Sequence, residues 1–387
     1  MCGIAGLMNS VPSMPVNRQL LQSMSDSLIH RGPDGSGTWV DDGVGLVHRR
    51  LAVLDEEGGK QPMRSRDGQV VLTYNGEIYN FKDLRNRLSE HGYNFQTRSD
   101  TEVLLAAYLH WGRDCVDHIW GMFAFAIWDG RSKCLFAARD RIGIKPFYWT
   151  IDSAGRFVFA SEMKALTLNA DLKRELRSDA VEDYLALGYV PDPKTILHGV
   201  HKLAPGHTLE IRKGEKYPHI SRYWSVKIEP KVSRLESQNY FMEQLEGAVS
   251  LRMVADVPVG ALLSGGLDSS AIVAMMSRMA SQPVETCTIV SEEGTADESG
   301  YAALVSDFFG TRHRLRFASE KDAPFLDMVP SLFDEPFADN SALPTYKVSA
   351  LAREKVTVAL SGDGADELFG GYARYRMHLA EQEIRAL

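Results

Sequence analysis

The 387-residue sequence has few cysteines, and their spacing forms no recognisable pair. Cys2, Cys115, Cys134 and Cys287 lie far apart without a Cys-x-x-Cys motif, which argues against a zinc site or a disulfide framework. None of the eleven histidines stands in a His-Glu-x-x-His pattern, so no histidine is assigned a catalytic role. These absences predict a reduced, cytoplasmic protein.

Long apolar runs and basic clusters are also lacking. The longest apolar run, residues 122–128, has the length of a strand, whereas a membrane-spanning helix needs about 18–20 residues. The N-terminus lacks the basic and then apolar stretch of a secretory signal. The net charge of −8 and the lack of a Lys/Arg cluster argue against a nucleic-acid surface. We therefore expect neither a membrane nor a nucleic-acid partner.

The apolar pattern that is present changes along the chain. Residues 70–161 alternate short strand-like runs with turns and predict two hairpins, 123–128 with 134–138 and 147–151 with 157–160. Helical spacing covers residues 81–90 and 101–111. After about residue 226, strands alternate with helices, which is typical of a parallel sheet with right-handed crossovers. We predict two domains, residues 1–215 with a linker and residues 226–387.

Cysteine at position 2 is the most informative single residue. If Met1 is removed, the thiol and the α-amine of Cys2 sit on one carbon. A free α-amine has a pKa of about 7.7–8, so part of it is unprotonated near neutral pH and can accept the thiol proton. Cys2 is therefore a candidate nucleophile. The alternative is a small buried apolar residue at the start of the chain.

A second candidate site follows a predicted strand, residues 257–263. The strand runs into SGGLDSS, residues 264–270, and then into a helix. Glycines let the backbone approach an anion, and a helix N-terminus offers free N–H groups. No lysine follows as in a Walker A loop, so we predict a different phosphate grip; the alternative is a plain glycine-rich turn with a serine cap. Another predicted strand, 356–360, ends in SGDGADE, residues 361–367, whose carboxylates suit Mg²⁺ shared with phosphates.

SGGLDSS resembles the pyrophosphate loop of the ATP pyrophosphatases, which cleave ATP between its α and β phosphates. The resemblance implies that Asp268 and Asp366 hold Mg²⁺. It also implies a set of ATP-binding residues: Leu263, Ser264, Gly265, Gly266, Asp268, Ser269, Ser361 and Gly362.

With Cys2 in the same chain, essentially the whole sequence resembles the glutamine-hydrolysing asparagine synthetases, whose glutaminase half is a class II amidotransferase. The resemblance implies a mixed α/β and α+β protein. An N-terminal nucleophile hydrolase αββα sandwich would be followed by a Rossmann-like, parallel-sheet ATP-pyrophosphatase domain.

The same resemblance implies roles for residues that also have plain explanations. Asn75 and Gly76 would form the oxyanion hole for an intermediate on Cys2, although Asn-Gly by itself predicts a type I′ hairpin turn. Asp100 would bind the α-amine of glutamine, beside Ser99, which caps a helix. The implied glutamine-binding residues are Arg50, Asn75, Glu77 and Asp100. The segment RGPD, residues 31–34, would frame the pocket, with no role for its individual residues.

The implied reaction is the glutamine-dependent synthesis of asparagine from aspartate and ATP, with Mg²⁺, releasing AMP and pyrophosphate. Two alternatives stay open. One is an amidotransferase of the same architecture with another carboxylate acceptor, such as a peptide, an antibiotic precursor or a polysaccharide component. The other is a glutaminase or a non-catalytic protein without synthesis. A homodimer is compatible with the sequence, which does not determine the oligomeric state.

The chain stops within a predicted helix at Leu387 without a Gly or Pro stop signal. Synthetase domains of the resembling family continue past this point. We therefore expect a truncated sequence that hydrolyses glutamine and makes little amide product.

Overall fold

The computed structural model describes residues 1–10, 14–229, 234–291, 298–318 and 324–385. The chain divides into two compact units. The first is Met1–Pro230 with Asp327–Asp339, and the second is Lys231–Leu326 with Asn340–Leu387. Within the described ranges, none of the helices has the length and apolar character needed to cross a bilayer.

The first unit is built on two antiparallel sheets. Its strands are β1 (Gly3–Met8), β2 (Gly35–Asp41), β3 (Val44–Arg50), β4 (Met63–Arg64), β5 (Val70–Ile78), β6 (Gly121–Asp129), β7 (Cys134–Arg139), β8 (Tyr148–Ile151), β9 (Phe157–Ala160), β10 (Val200–Lys202), β11 (His207–Arg212) and β12 (His219–Arg222). Its helices are α1 (Arg18–Ser27), α2 (Phe81–Glu90), α3 (Asp100–Trp111), α4 (Cys115–His118), α5 (Met163–Thr167) and α6 (Ser178–Leu187).

The two sheets stack between helices and form an αββα sandwich. Sheet A has the strand order β10-β8-β9-β1-β3-β2, and sheet B has the order β12-β11-β7-β6-β5-β4. Helices α1 and α5 pack on sheet A, while α3 packs on sheet B and α2 packs against α3. The predicted hairpins are confirmed, because β6 pairs with β7 and β8 pairs with β9.

Strand β1 is central to sheet A and is buried over its whole length. Ile4 and Met8 belong to the core between the sheets, and Ala5 and Leu7 belong to the core between sheet A and its helices. This alternation is the two-residue period of a strand buried on both faces. Gly6 is needed because a Cβ atom there would lie 2.6 Å from the ring of Phe159.

The second half of the chain adds a parallel sheet with the order β15-β14-β13-β16. Its strands are β13 (Val259–Leu262), β14 (Glu285–Ser291), β15 (Arg312–Ala318) and β16 (Val358–Leu360). The helices are α7 (Arg234–Arg252), α8 (Leu267–Met279), α9 (Ser299–Phe309), α10 (Pro324–Leu332), α11 (Ala342–Arg353), α12 (Ala365–Phe369) and α13 (Ala373–Arg385). Strands alternate with helices as the sequence predicts, which confirms the mixed fold class.

The core between the sheets of the first unit yields a stability prediction. Phe159 is fully buried and stacks on Phe147, with ring centroids 5.2 Å apart. We expect Phe159→Ala to lower the free energy of unfolding of this unit by about 3–5 kcal/mol, because a large cavity remains. Denaturant unfolding followed by tryptophan fluorescence measures the change. Leu185, which is 77% exposed, provides the control, and Leu185→Ala should change the value by less than about 0.5 kcal/mol. A loss below about 1 kcal/mol for Phe159→Ala would contradict this packing.

Candidate functional site

Cys2 lies one residue before β1, a strand of sheet A that is buried over its whole length. The backbone N–H of Leu51 donates to its sulfur at 3.4 Å, and the sulfur lies 3.6 Å from the Leu51 carbonyl oxygen. Burial raises the pKa of the Cys2 thiol, although the Leu51 hydrogen bond and the positive chain terminus act in the opposite direction. A thiol with a raised pKa is protonated near neutral pH and needs a base before it can attack.

Arg31 fixes the backbone of Cys2, a role that the sequence did not reveal. Its Nε donates to the Cys2 carbonyl oxygen at 2.9 Å, and its Nη1 donates to Glu162 at 2.7 Å. The following Gly32 has no room for a side chain, because a Cβ atom would collide with the backbone of Arg49. The RGPD segment therefore packs directly against the end of β3 and Cys2.

Asn75 and Gly76 do not form a turn. Both lie inside β5, where Asn75 pairs with Ala124 and Gly76 with Phe123 of β6, so the type I′ hairpin interpretation is wrong. Asn75 is 1% exposed, and its side-chain nitrogen has no hydrogen-bond partner. Leaving a buried donor unpaired costs about 1–3 kcal/mol, so this amide is a candidate donor to a bound ligand. A Cβ atom on Gly76 would collide with the carbonyl of Met122, so only glycine fits.

Two carboxylates lie close together beyond Asn75. Asp100, in the first turn of α3, accepts hydrogen bonds from the Tyr74 hydroxyl at 2.8 Å and from the Ile78 N–H at 3.0 Å. Burial raises the pKa of Asp100 despite these donors. Burial and then the nearby Asp100 carboxylate raise the pKa of Glu77 well above its usual value. A pair of acids in this state favours a bound cation, because a cation relieves their repulsion.

Lys145 is a second residue that the sequence analysis missed. It is 3% exposed, and its Nζ lies 3.0 Å from the Met1 sulfur. Burial and then the charge of Arg31 lower the pKa of Lys145 to about 8, while Glu77, Cys2 and Asp140 act in the opposite direction. The signal in the sequence is a charged segment, RDRIGIK, which starts at Arg139, the last residue of the strand that pairs with β6.

The carboxylate of Asp140 holds the loop that carries Lys145. It accepts backbone N–H bonds from Ile142, Ile144 and Lys145 at 2.9–3.2 Å, and a fourth from Phe123 at 3.1 Å. Four donors to one buried carboxylate fix the loop against β6. The lysine is therefore held beside Cys2 by a rigid support.

Arg50 lies at the end of β3, and most of its donors are engaged. Its Nη2 donates to the carbonyls of Leu54 and Asp55 at 3.0 and 2.6 Å, and its Nη1 donates to the carbonyl of Glu56. A guanidinium has five N–H groups. Two remain after these three contacts, so Arg50 can both shape the loop at residues 54–56 and bind a carboxylate.

His48 connects the two sheets next to the candidate oxyanion residues. Its Nε2 donates to the Tyr74 carbonyl oxygen at 3.0 Å, and the Thr73 hydroxyl donates to the Val47 carbonyl at 3.1 Å. Because β3 belongs to sheet A and β5 to sheet B, these bonds set the position of Asn75 relative to Cys2. Burial lowers the pKa of His48 to about 3.

In the second unit, the predicted phosphate loop joins β13 to α8. Gly265 has a φ of +89°, and Gly266 is the N-cap of α8. The Ser264 hydroxyl accepts from the Gly266 N–H at 3.2 Å, and the Ser269 hydroxyl accepts from the Ser264 N–H at 3.2 Å. Leu263 is buried at the end of the strand. The loop is thus preformed around an open helix N-terminus, which is an arrangement that binds anions.

The second predicted loop meets the first. Strand β16 pairs in parallel with β13, with Leu360 opposite Ala261, so both strands end at the same edge. A Cβ atom on Gly362 would lie 2.8 Å from the Ser269 nitrogen and 3.0 Å from the Asp268 Cβ. Only a glycine lets Ser361 and Gly362 come this close to the start of α8.

The residues expected to hold Mg²⁺ follow these two loops. Asp268 is exposed in the first turn of α8, and Asp366 is half-buried in the first turn of α12. The described residues contain no group of three or more His, Cys, Asp or Glu side chains arranged for a metal. Mg²⁺ in nucleotide sites is held by one or two carboxylates with phosphates and water, so two aspartates on adjoining loops fit this ion.

Two family models match the chain. Residues 1–224 match the glutamine amidotransferase domain, and residues 241–386 match asparagine synthase. The chain is 37% identical to the glutamine-hydrolysing asparagine synthetase 3 of Bacillus subtilis, over 99% of this chain and 65% of that protein. It is 36% identical to asparagine synthetase 1 of the same organism, over 98% of this chain and 60% of that protein. The chain thus spans less than two-thirds of the length of these relatives.

A solved structure, the glutamine phosphoribosylpyrophosphate amidotransferase from B. subtilis, aligns at 17% identity with a TM-score of 0.44, covering 85% of this chain and 70% of that chain. The sequence matches define the class as a glutamine amidotransferase joined to a synthetase domain. The chain belongs to the glutamine-hydrolysing asparagine synthetase family.

The buried His48 generates a prediction about pH. Its ordinary pKa of about 6.5 applies in the unfolded chain, whereas the folded value is about 3. Between these values the unfolded state binds a proton that the folded state does not, so stability falls as the pH drops from 6.5 towards 3. We expect His48→Gln to flatten this slope by about 1.4 kcal/mol per pH unit. Urea unfolding between pH 6 and 4 measures this slope.

His219→Gln, at an exposed position, is the control and should leave the slope unchanged. An unaltered slope in His48→Gln would contradict a neutral buried imidazole.

Proposed function

We propose that the first unit hydrolyses glutamine with Cys2 as the nucleophile. The observation that carries this proposal is the buried Asn75 amide nitrogen without a partner. It lies in the same strand segment as Tyr74 and Glu77, both of which interact electrostatically with Cys2. A thiol beside an unpaired amide donor would supply the nucleophile and part of the oxyanion hole that this reaction needs.

The proposed reaction begins once Met1 has been removed. The α-amine of Cys2 takes the thiol proton, and the sulfur attacks the side-chain carbonyl carbon of glutamine. Asn75 Nδ2 and the Gly76 N–H donate to the oxyanion. The proton passes to the leaving nitrogen, ammonia departs, and a thioester remains on Cys2. Water then attacks the thioester and releases glutamate.

Charged side chains would bind the α-ammonium and α-carboxylate groups of glutamine. Asp100 and Glu77 would bind the α-ammonium group, which relieves the repulsion that raises their pKa values. The two remaining N–H groups of Arg50 would bind the α-carboxylate. Lys145 would balance the charge of Glu77 on the side of Cys2.

We further propose that the second unit activates a carboxylate with ATP. Gly265, Gly266 and Ser269 would surround the departing pyrophosphate with N–H and hydroxyl donors, and Leu263, Ser264, Ser361 and Gly362 would line the nucleotide. Asp268 and Asp366 would hold Mg²⁺, which neutralises charge on the phosphates. An acyl-adenylate would form with loss of pyrophosphate, and ammonia would displace AMP to give the amide.

Aspartate is the proposed acceptor, because the relatives are named asparagine synthetases. An acceptor screen tests it. Wild-type protein is incubated with ATP, Mg²⁺ and glutamine, and pyrophosphate release is compared between aspartate and other carboxylates, including glutamate and acidic peptides. If pyrophosphate release requires another carboxylate and does not respond to aspartate, aspartate is not the acceptor.

The assignment of Cys2 as the nucleophile predicts that its replacement removes glutamine hydrolysis alone. We expect Cys2→Ala to lower kcat for glutamine hydrolysis by at least about 10³-fold, since the attacking atom is removed. Any ammonium-dependent pyrophosphate release measured in the same chain should persist. Glutamate production is measured with a coupled dehydrogenase. Cys134→Ala, in a strand away from the site, is the control and should keep near wild-type hydrolysis. Hydrolysis by Cys2→Ala at the wild-type rate would exclude Cys2 as the nucleophile.

The assignment of Asp268 and Asp366 as Mg²⁺ ligands predicts a loss of pyrophosphate release and not of glutamine hydrolysis. We expect Asp268→Ala and Asp366→Ala each to lower ATP-dependent pyrophosphate release by about 10²-fold or more, because each removes an oxygen ligand worth several kcal/mol in charge stabilisation. Glutamine hydrolysis should remain. Asp363→Ala is the matched control, because Asp363 is an exposed carboxylate in the same loop that bonds only to Ser361 in the described hydrogen-bond pattern. Near wild-type release in either variant would remove that residue from the metal site.

A further inference from the structure

A short segment from the second half of the chain belongs to the first unit. Residues Asp327–Asp339 pack with Met1–Pro230, although the chain on both sides of them belongs to the second unit. Glu335 accepts from the Ile196 N–H at 2.7 Å and pairs with Lys202 at 2.7 Å. Ala338 donates to the Gly188 carbonyl at 2.9 Å. Nothing in the sequence pattern marks this segment as part of the first unit.

A chain of charged contacts runs from Asp334 of this segment towards the nucleophile. Asp334 lies 3.4 Å from Lys164 Nζ, and Lys164 Nζ lies 3.2 Å from Glu162. Glu162 pairs with Arg31 at 2.7 Å, and Arg31 donates to the Cys2 carbonyl at 2.9 Å. We call this series the Asp334–Arg31 relay. Four contacts therefore connect a residue from the second half of the chain to the backbone of Cys2.

The relay is largely shielded from water. The side chains of Arg31 and Asp334 are 9% exposed, that of Glu162 is 13% exposed, and that of Lys164 is 28% exposed. Burial alone would raise the pKa of Glu162, but the hydrogen bond and charge of Arg31 hold it below its usual value. His30, on the outer side, also contacts Glu162 at 3.0 Å. Removing one charge from a shielded series leaves its neighbour uncompensated, which forces a rearrangement.

The hydrogen bonding of the relay is incomplete. Arg31 Nη2, Glu162 Oε2 and Asp334 Oδ1 are buried without a hydrogen-bond partner. The two carboxylate atoms are instead in ion pairs with Lys164. The lysine ammonium is shared between these two acids and the Ser331 carbonyl oxygen, to which it donates at 2.9 Å. Removing the charge of Asp334 therefore changes the balance of contacts that positions Glu162 and, through it, Arg31.

We propose that Asp334 and Lys164 are positioning residues for Cys2, so that the Asp327–Asp339 segment is a working part of the glutamine-hydrolysing site. The charges of Asp334 and Lys164 fix the position of the Glu162 side chain, and Glu162 in turn fixes the position of Arg31. Arg31 then orients the carbonyl group of Cys2 and therefore its thiol. The proposal rests on the proposed glutaminase function but concerns a different set of residues. Glutamine hydrolysis is thereby tied to a segment that is flanked in sequence by residues of the second unit.

The test compares Asp334→Asn and Lys164→Met with wild type in the same 387-residue protein. We expect each variant to lower kcat for glutamine hydrolysis by roughly 3- to 30-fold, with KM within about twofold because no glutamine-binding residue is altered. The double variant should be no worse than Lys164→Met alone, since both changes interrupt the same series. Lys164→Arg, which keeps the charge, should restore most of the rate.

Glu335→Gln is the matched control. It weakens the Lys202 pair of the same segment but keeps an acceptor for Ile196, and it lies outside the relay. We expect its kcat to stay within about twofold of wild type. If Glu335→Gln falls as far as Asp334→Asn, only docking of the segment matters and the positioning role is overturned. Wild-type kcat in Asp334→Asn, with unchanged circular dichroism and thermal midpoint, also overturns it.

A second measurement separates this inference from the proposed function. The rate at which iodoacetamide alkylates Cys2, followed by mass spectrometry, reports the thiol position without any turnover. We expect this rate to change by about threefold or more in Asp334→Asn and Lys164→Met and to stay constant in Glu335→Gln. An equal rate in all four proteins overturns the relay. A wild-type protein that hydrolyses no glutamine counts against the glutaminase function alone, and the alkylation rates then decide the relay.

Discussion

Burial of β1 on both faces is the constraint on which the first unit depends. The first residues of a chain are usually mobile unless they are tied down. Here β1 lies between β3 and β9 in the middle of sheet A, and its side chains enter two separate cores. Cys2 precedes this strand by one position and inherits its rigidity. The proposed use of the Cys2 α-amine as a base depends on this rigidity, because a loosely held N-terminus would not keep the amine in a fixed position.

Several charged side chains whose burial costs free energy lie around Cys2 in the first unit. Glu77 and Asp100 are two acids close to each other, Lys145 is a cation close to Glu77, and Arg31 is a second cation close to Lys145. Burial shifts the pKa values of Glu77, Asp100 and Lys145 in the direction of the neutral form. An arrangement of this kind lowers stability locally, but it prepares donors and charges in advance, so little reorganisation is needed when a substrate binds. The unpaired Asn75 amide belongs to the same pattern.

In the second unit, the candidate site is built from loops at the edge of a parallel sheet and not around a buried strand. A parallel sheet places the ends of β13 and β16 at one edge, and glycines remove the side chains that would separate the loops following them. Gly362 touches the first turn of α8, so the N-terminus of α8 and the acidic loop share one region. The chemistry expected there depends on backbone N–H groups and carboxylates rather than on a buried nucleophile. This explains why its loops can be exposed while the residues around Cys2 are enclosed.

The sequence by itself determined the features that depend on local pattern. Residue periodicity predicted the hairpins β6–β7 and β8–β9 and the alternating second half, and the strand–loop–helix order marked SGGLDSS. Local pattern was misleading for Asn75-Gly76, whose turn preference is overridden by pairing with β6 over nine residue pairs. Only the tertiary structure brings Arg31 to Cys2, His48 to Tyr74 and Asp334 to Lys164, and only it places the charge of Lys145 near Cys2. Arg31 and Glu162 are 131 residues apart in the chain, and such contacts arise from sheet pairing and packing, which no local spacing encodes.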